Sequence, residues 1–358
     1  MSQARIQQFE LNLDAPYMGV STGRALTLVP PPQRKPRTSA LPPRPQKAQR
    51  ALVPADATAL DAFRLTIVQC RWHIAANEAA TVEAHQAEGL HQMRVAMRRL
   101  RVALAAFGDD FRTPHTEAIA LKAKDLAGRL GPARDLDVFL DHLFETPARA
   151  NGAQHAFARL RSRMKEARAG AWGDAVAELR GMHFRAFMHD LTELVDRDLP
   201  FAVGRSATGG AAFSQPARHL AQRMLDHRYR KACKRARTLD SSSENERHAF
   251  RISLKKLRYT AEFFAPFFEA GRVAKFVSRL SGMQDVLGAL NDVAVARKIL
   301  DALVLSPNAS GIDAELGFAA GAIYGWHLQS AAHKWGETLG RWKKLARTRP
   351  FWDGAPAH

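Results

Sequence analysis

Two stretches of the chain concentrate groups that bind anions. HQMRVAMRRLR, residues 91–101, holds a histidine and four arginines, and HAFRISLKKLR, residues 248–258, repeats the arrangement 157 positions later. Both read His-x-x-Arg-x-x-x-basic-basic-Leu-Arg. At 100° per residue with His91 at zero, Arg94, Arg98 and Arg101 fall at about 300°, 340° and 280°. Leu90, Met93, Met97, Leu100, Leu104 and Phe107 fall between about 160° and 260°. Each helix therefore carries an apolar stripe for a core and a histidine–arginine stripe directly beside it. His248, Arg251, Lys255 and Arg258 repeat the basic stripe next to Phe250, Leu254, Leu257, Ala261 and Phe264. Arg99, at about 80°, lies off the stripe.

The chemistry of such a stripe is oxyanion binding. Arginine offers a planar fork of donors, lysine a point charge, and histidine a proton that comes and goes with pH. Residues 89–107 contain no acidic side chain, so nothing local offsets repulsion worth some tenths of a kcal/mol per like-charged pair. A bound anion accounts for that cost better than solubility does. Boundary arginines snorkelling to water are the plainer alternative. A helical metal site wants its ligands four residues apart on one face, and Val95 and Ile252 stand there instead. An anion favours the imidazolium form, so tighter binding toward pH 6 is expected of His91 and His248.

The correspondence extends beyond the motif without a gap. Phe107 matches Phe264, Lys122 matches Arg279, Leu130-Gly131 match Leu287-Gly288, Asp135 matches Asp292 and Val138 matches Val295. Charged and apolar positions recur together over nearly fifty residues, which indicates an internal duplication and suggests two helical bundles facing each other across a pseudo-two-fold axis. Lys122 and Arg279 stay basic in both copies and join the candidate anion ligands. Arg134, where the second copy has Asn291, is a further candidate. Asp135 and Asp292 read as helix caps. Glu262, four residues after Arg258, is either an orienting partner or an ordinary helix salt bridge. Secondary candidates are Arg71 and its match Arg228, with Arg99, Lys231 and Lys256. ARLRSRMKEAR, residues 158–168, reads as a solvated basic face.

The elements that must position these groups are helical. Residues 30–54 contain eight prolines and few large apolar residues, so residues 1–55 are expected to be a flexible basic segment and the fold to begin near 56. Helical periodicity then predicts helices over 56–82, 89–107, 115–130, 133–145, 154–169, 173–198, 215–238, 246–266, 271–287, 289–304 and 312–347. No alternating strand pattern follows residue 56. The fold class is all-α, with a first bundle over 56–206, a second over 207–352 and a tail at 353–358.

Bulk properties agree with a polyanionic partner. The 358 residues carry 53 Lys+Arg against 35 Asp+Glu, a net charge of +18. Two cysteines exclude a disulfide framework, and the absence of an apolar leader or spanning run points to a cytoplasmic protein. No nucleophile–base pattern, phosphate loop or paired carboxylates suggest an enzyme, and no cofactor or metal is called for.

LHQMRVAMRRLRVALAAF, LGPARDLDVFL, RHAFRISLKKLRYTAEFF, MQDVLGALNDVAVA and the AIYGWHLQSA…RTRPFW ending together resemble the CHAD family, the conserved histidine α-helical domain. The resemblance spans roughly residues 56–352. It implies two four-helix bundles around a basic central pore that binds inorganic polyphosphate, lined by His91, Arg94, Arg98, Arg101, His248, Arg251, Lys255 and Arg258. Family members have been associated with polyphosphate and polyester storage granules. Many relatives carry an N-terminal triphosphate-hydrolysing domain with an ExExK motif; that motif is missing from residues 1–29, so its catalysis is not implied. Nonspecific nucleic-acid binding and a granule-associated scaffold are the alternative functions. Single-strand binding normally adds exposed aromatics for stacking, and the phenylalanines near the motifs fall on the core stripe.

Overall fold

The computed structural model describes residues 43–49, 53–150, 153–196, 212–237, 243–304 and 313–353. Among them every named element is a helix, and strand pairing is limited to one isolated bridge between Thr58 and Pro216. The order is α1 (Ala59–Ala75), α2 (Glu78–Val82), α3 (Ala87–Ala106), α4 (Pro114–Arg129), α5 (Gly131–Val138), a π turn at Phe139–Leu143, α6 (Glu145–Ala150), α7 (Gln154–Arg180) and α8 (Met182–Asp196). It continues with α9 (Ala217–Ala236), α10 (Glu244–Phe263), α11 (Ala270–Val304) and α12 (Ala314–Ala346). The all-α reading holds.

Starts follow local capping chemistry. Thr58 with Asp61 opens α1, Thr113 with Thr116 opens α4 ahead of Pro114, and Ser243 with Glu246 opens α10; each pair satisfies helix-end N–H groups reciprocally. Four boundaries depart from expectation. The helix expected over 56–82 is two helices, α1 and α2, separated around Asn77. The break expected between 169 and 173 is absent: Gly170 and Gly173 lie inside α7, which ends instead where Gly181 turns extended. Two exposed helical glycines cost only about 1 kcal/mol each, which the packing of the long helix tolerates. The break expected at 288 is absent too. In the first copy Pro132 lacks an N–H and separates α4 from α5; Ala289 stands at the matching position, and α11 runs through. The fold also starts before 56, because residues 43–49 lie docked on the body.

The apolar stripes of the two motif helices form the centre. Leu90, Met93, Met97, Leu100 and Phe107 on the α3 side, and Phe250, Leu254, Leu257, Ala261 and Phe264 on the α10 side, are fully buried. The matching phenylalanines meet: the Phe107 and Phe264 rings are 5.2 Å apart, Phe63 lies 5.2 Å from Phe107, and Phe111 lies 4.9 Å from Phe63. This core takes residues from both halves of the chain. A second core joins Phe139, Phe144, Phe157 and Leu160 to Leu300, Leu316 and Ile323, again from both halves. The expected bundles therefore do not each own a core, and the expected boundary at 206/207 falls outside the described residues. The C-terminal Phe351-Trp352 pair seals α9 and α11, with Trp352 Nε1 donating to Asp226 at 2.7 Å. No helix among the described residues is long and apolar enough to cross a membrane.

Phe107→Ala should lower unfolding free energy by about 3–5 kcal/mol, read as a shifted denaturant midpoint with an unchanged slope.

Candidate anion-binding site

Burial of the two apolar stripes presses α3 against α10, and the basic stripes beside them converge. His91, Arg94 and Arg98 of α3 are half-buried, as are Arg251, Lys255 and Arg258 of α10, whereas Arg101 and His248 are exposed. The Pro132 turn brings the start of α5 alongside α3, adding half-buried Arg134 and Asp135. Arg94 reaches past this turn to donate to the Ala127 carbonyl oxygen. A Cβ on Gly131 would lie 3.0 Å from Arg94 Nη1, a tight contact, so the guanidinium would have to shift by a few tenths of an ångström to pass a larger residue there.

The electrostatics identify the hub. Arg98 acts on His91, Arg94, Arg101, Arg251 and Lys255, groups drawn from both helices. Its own Nε is buried with no hydrogen-bond partner, and no ion pair to it occurs among the described residues. Burial, reinforced by Arg98, Arg251 and Arg258 against the opposing pull of Asp292, brings the Lys255 ammonium down to about 7. Burial, reinforced by Arg134, Arg98 and Arg94 against Glu88, brings His91 down to about 4. Arg94 and Arg251 are shifted down as well, mainly by burial, with Asp135 and Asp292 respectively opposing. Arg258 sits at the edge, donating to Ser281 Oγ at 3.3 Å, lying 3.5 Å from Glu262 and covering the Tyr259 ring.

Basic character continues beyond Arg101. Arg228, Lys231, Arg235 and Lys256 line a groove of about 190 Å³ between α9 and α10. Lys256 is pulled down by burial and then by Arg228, Lys231 and Arg101; Arg101 thus links this groove to Arg98. Arg228 is itself buried and donates to Ala105 O at 2.7 Å.

Several expected ligands lie elsewhere. Lys122 is held by Asp190 of α8, and Arg279 donates to Thr348 at 2.9 Å in a separate groove with Arg341 and Lys344. Arg71 donates to Thr192 at 3.0 Å. Arg99 pairs with Glu262 and stacks over Tyr259 and Phe263, a strut between α3 and α10. Glu262 thereby serves two arginines. Asp135 is no cap, because α5 starts at Gly131 without a side-chain cap, and Asp292 lies inside α11. Burial raises the Asp135 carboxyl while Arg94 and Arg134 lower it; Asp292 and Lys298 also act on it. Lys298 and Arg235 were not singled out from sequence. Lys298 has Asp141 at the matching position, so the repeat hides it. A larger cavity of about 680 Å³, lined by Phe144, Phe157, Arg161 and Lys165 among others, shares no residue with the cluster.

The CHAD domain model matches residues 66–301. The chain belongs to the CHAD family. A crystal structure of the CHAD domain from the plant Ricinus communis superposes with a TM-score of 0.71 at 26% identity, covering 86% of this chain and 98% of that one. PptA from Streptomyces chartreusis, at 16% identity and a TM-score of 0.57, shares the fold. An uncharacterised protein of Mycobacterium tuberculosis, seen in two strains, is 28% identical over 254 residues, which is 68% of this chain and 45% of that protein. The chain thus spans about half the length of the curated relatives it matches. The basic positions of α3, α5 and α10 lie in the sequence stretches quoted, Arg228 and Lys231 stand there only as secondary candidates, and Arg235 and Lys298 are not legible; nor is the convergence of the cluster.

Lys255 is a half-buried cation among cations, with its folded-state ionisation below the usual lysine range of about 10.4. The cost to the empty protein is full below about pH 7 and fades as pH rises toward the unfolded-state value. Lys255→Met should therefore raise Tm, and raise it more at pH 6 than at pH 9, in thermal unfolding at low salt.

Proposed function

We propose that this CHAD chain binds long-chain inorganic polyphosphate, without turnover, in the basic cluster between α3 and α10. The observation that carries the reading is Arg98: a guanidinium surrounded by His91, Arg94, Arg101, Arg251 and Lys255 and paired with no carboxylate among the described residues. A closely spaced polyanion relieves that repulsion at several positions at once. Arg94, Arg98, Arg251 and Arg258 would supply forked hydrogen bonds, Lys255 a point charge, and Arg134 a contact at the α5 end. The groove lined by Arg228, Lys231 and Lys256 would extend the track past Arg101.

His91, near 4 in the empty protein, enters as a neutral N–H donor, so the expected histidine proton is replaced by one on Lys255. Anion binding raises the ionisation of Lys255 above its starting value near 7. Affinity should be level below about pH 7 and then fall, by up to about tenfold per pH unit; Lys255→Met should flatten the profile and His91→Ala should leave it.

Binding fits the cluster better than hydrolysis, which ordinarily recruits a divalent metal through acidic residues: Asp135 and Asp292 here lie among arginines. Nucleic acid is disfavoured because Tyr259, Phe250 and Phe264 beside the cluster are buried and offer no face for stacking. Attachment to polyphosphate or polyester granules is a further possibility that co-sedimentation with each granule type separates.

Calorimetric titration with long-chain polyphosphate, beside single-stranded DNA matched in charge, tests the reading. With six to eight contacts the log–log salt slope should be about −4 to −6. Arg98→Ala and the Arg94→Ala/Arg251→Ala pair should each abolish tight binding. Equal binding of both polymers, unaffected by these variants, would refute the site.

A further inference from the structure

The proline-rich segment at 43–49, PRPQKAQ, is held by a corner of the body with the chemistry of a peptide-binding site. Its backbone at Gln46 is gripped on both sides by one side chain: Gln46 N donates to Asn77 Oδ1 at 2.8 Å, and Asn77 Nδ2 donates to Gln46 O at 2.9 Å. His73 Nε2 approaches the same carbonyl at 3.1 Å and Gln92 Oε1 at 3.0 Å. Both neighbours are acceptors, so Nε2 carries the proton and His73 is the neutral donor tautomer. Gln86 Nε2 donates to Pro43 O at 2.9 Å. Asn77, His73 and Gln92 are all at least nine-tenths buried, and Asn77 is further fixed by donating to His73 O at 2.8 Å.

These contacts read main chain, not side chains. The Gln46 side chain is exposed, whereas Pro43 and Pro45 are half-buried. Proline fixes φ and biases the residue before it toward extended backbone, so such a segment loses little freedom on docking. The requirement is thus an extended Pro-x-Pro-x unit whose fourth residue keeps its N–H. Past it, Ala48 and Gln49 border a small cavity lined by Cys70, Arg99 and Glu262.

We infer that the corner of α1, α2 and α3 is an exchangeable binding site for an extended proline-containing peptide, and that residues 43–49 of the same chain are its resident occupant. The inference is independent of the anion site.

The test uses the full chain carrying Gln46→Pro, which removes the N–H that Asn77 needs and sets a ring against its oxygen. A fluorescent peptide of the sequence LPPRPQKAQR should bind this chain saturably, by anisotropy, and bind the unaltered chain at least about tenfold more weakly because the resident competes. The same peptide with proline in place of the glutamine matching Gln46 should not bind. Because Asn77 is buried and Asn77→Ala endangers the fold, the altered peptide carries the decision. No saturable binding to the Gln46→Pro chain, with its helical circular dichroism intact, overturns the inference; so does equal binding of both peptides.

Discussion

The structure turns on pressing two cationic helix faces together. Placing a basic stripe immediately beside an apolar stripe means that burying one drags the other into contact with its counterpart. The opposing terms are visible at single residues. Phe107 on Phe264 and the fully buried Leu100 and Leu257 draw α3 onto α10, while Arg98 then meets Arg251 and Lys255. The hydrophobic term wins because it is spread over a continuous core, whereas the repulsion is confined to a half-buried seam that water still reaches. Burial first, and then that repulsion, bring Lys255 down to about 7 and His91 to about 4.

Partial relief is built in, and its placement shapes the site. Asp135 and Asp292 counter Arg94 and Arg251 from α5 and α11, and Glu262 is shared by Arg99 and Arg258. Carboxylates thus border the seam and, among the described residues, none pairs with Arg98. The repulsion left at Arg98 is a stability cost of the kind that proteins commonly exchange for function.

Residues matched at the 157-residue offset do not share fates. Arg71 is spent on Thr192, while Arg228 is buried beside the seam. Lys122 settles on Asp190 of α8 and Arg279 on Thr348, just past the end of α12. Pro132 breaks the first copy where Ala289 lets the second run on. Sequence periodicity records what each position was, and the partners that surround it decide what it does.

The sequence by itself determined the all-α class, the buried stripes and the basic ones, because 3.6-residue periodicity and the 157-residue offset are properties of the chain alone. The Ser243–Glu246 cap that starts α10 and the missing N–H of Pro132 at the break before α5 are equally local in origin. Only the tertiary structure decided which cations converge. Arg99 and Arg98 are neighbours in sequence, yet one is a strut to Glu262 and the other the hub of the cluster, a distinction set by where α10 lies. It also decided that Asp135 faces arginines instead of capping a helix, and that burial draws Lys255 down to about 7 and His91 to about 4. Burial and long-range Coulomb interaction depend on groups far apart along the chain, and no local pattern encodes them. The docking of residues 43–49 belongs with these: proline-rich composition specifies an extended backbone, but the amide that grips it is Asn77, thirty-one residues away.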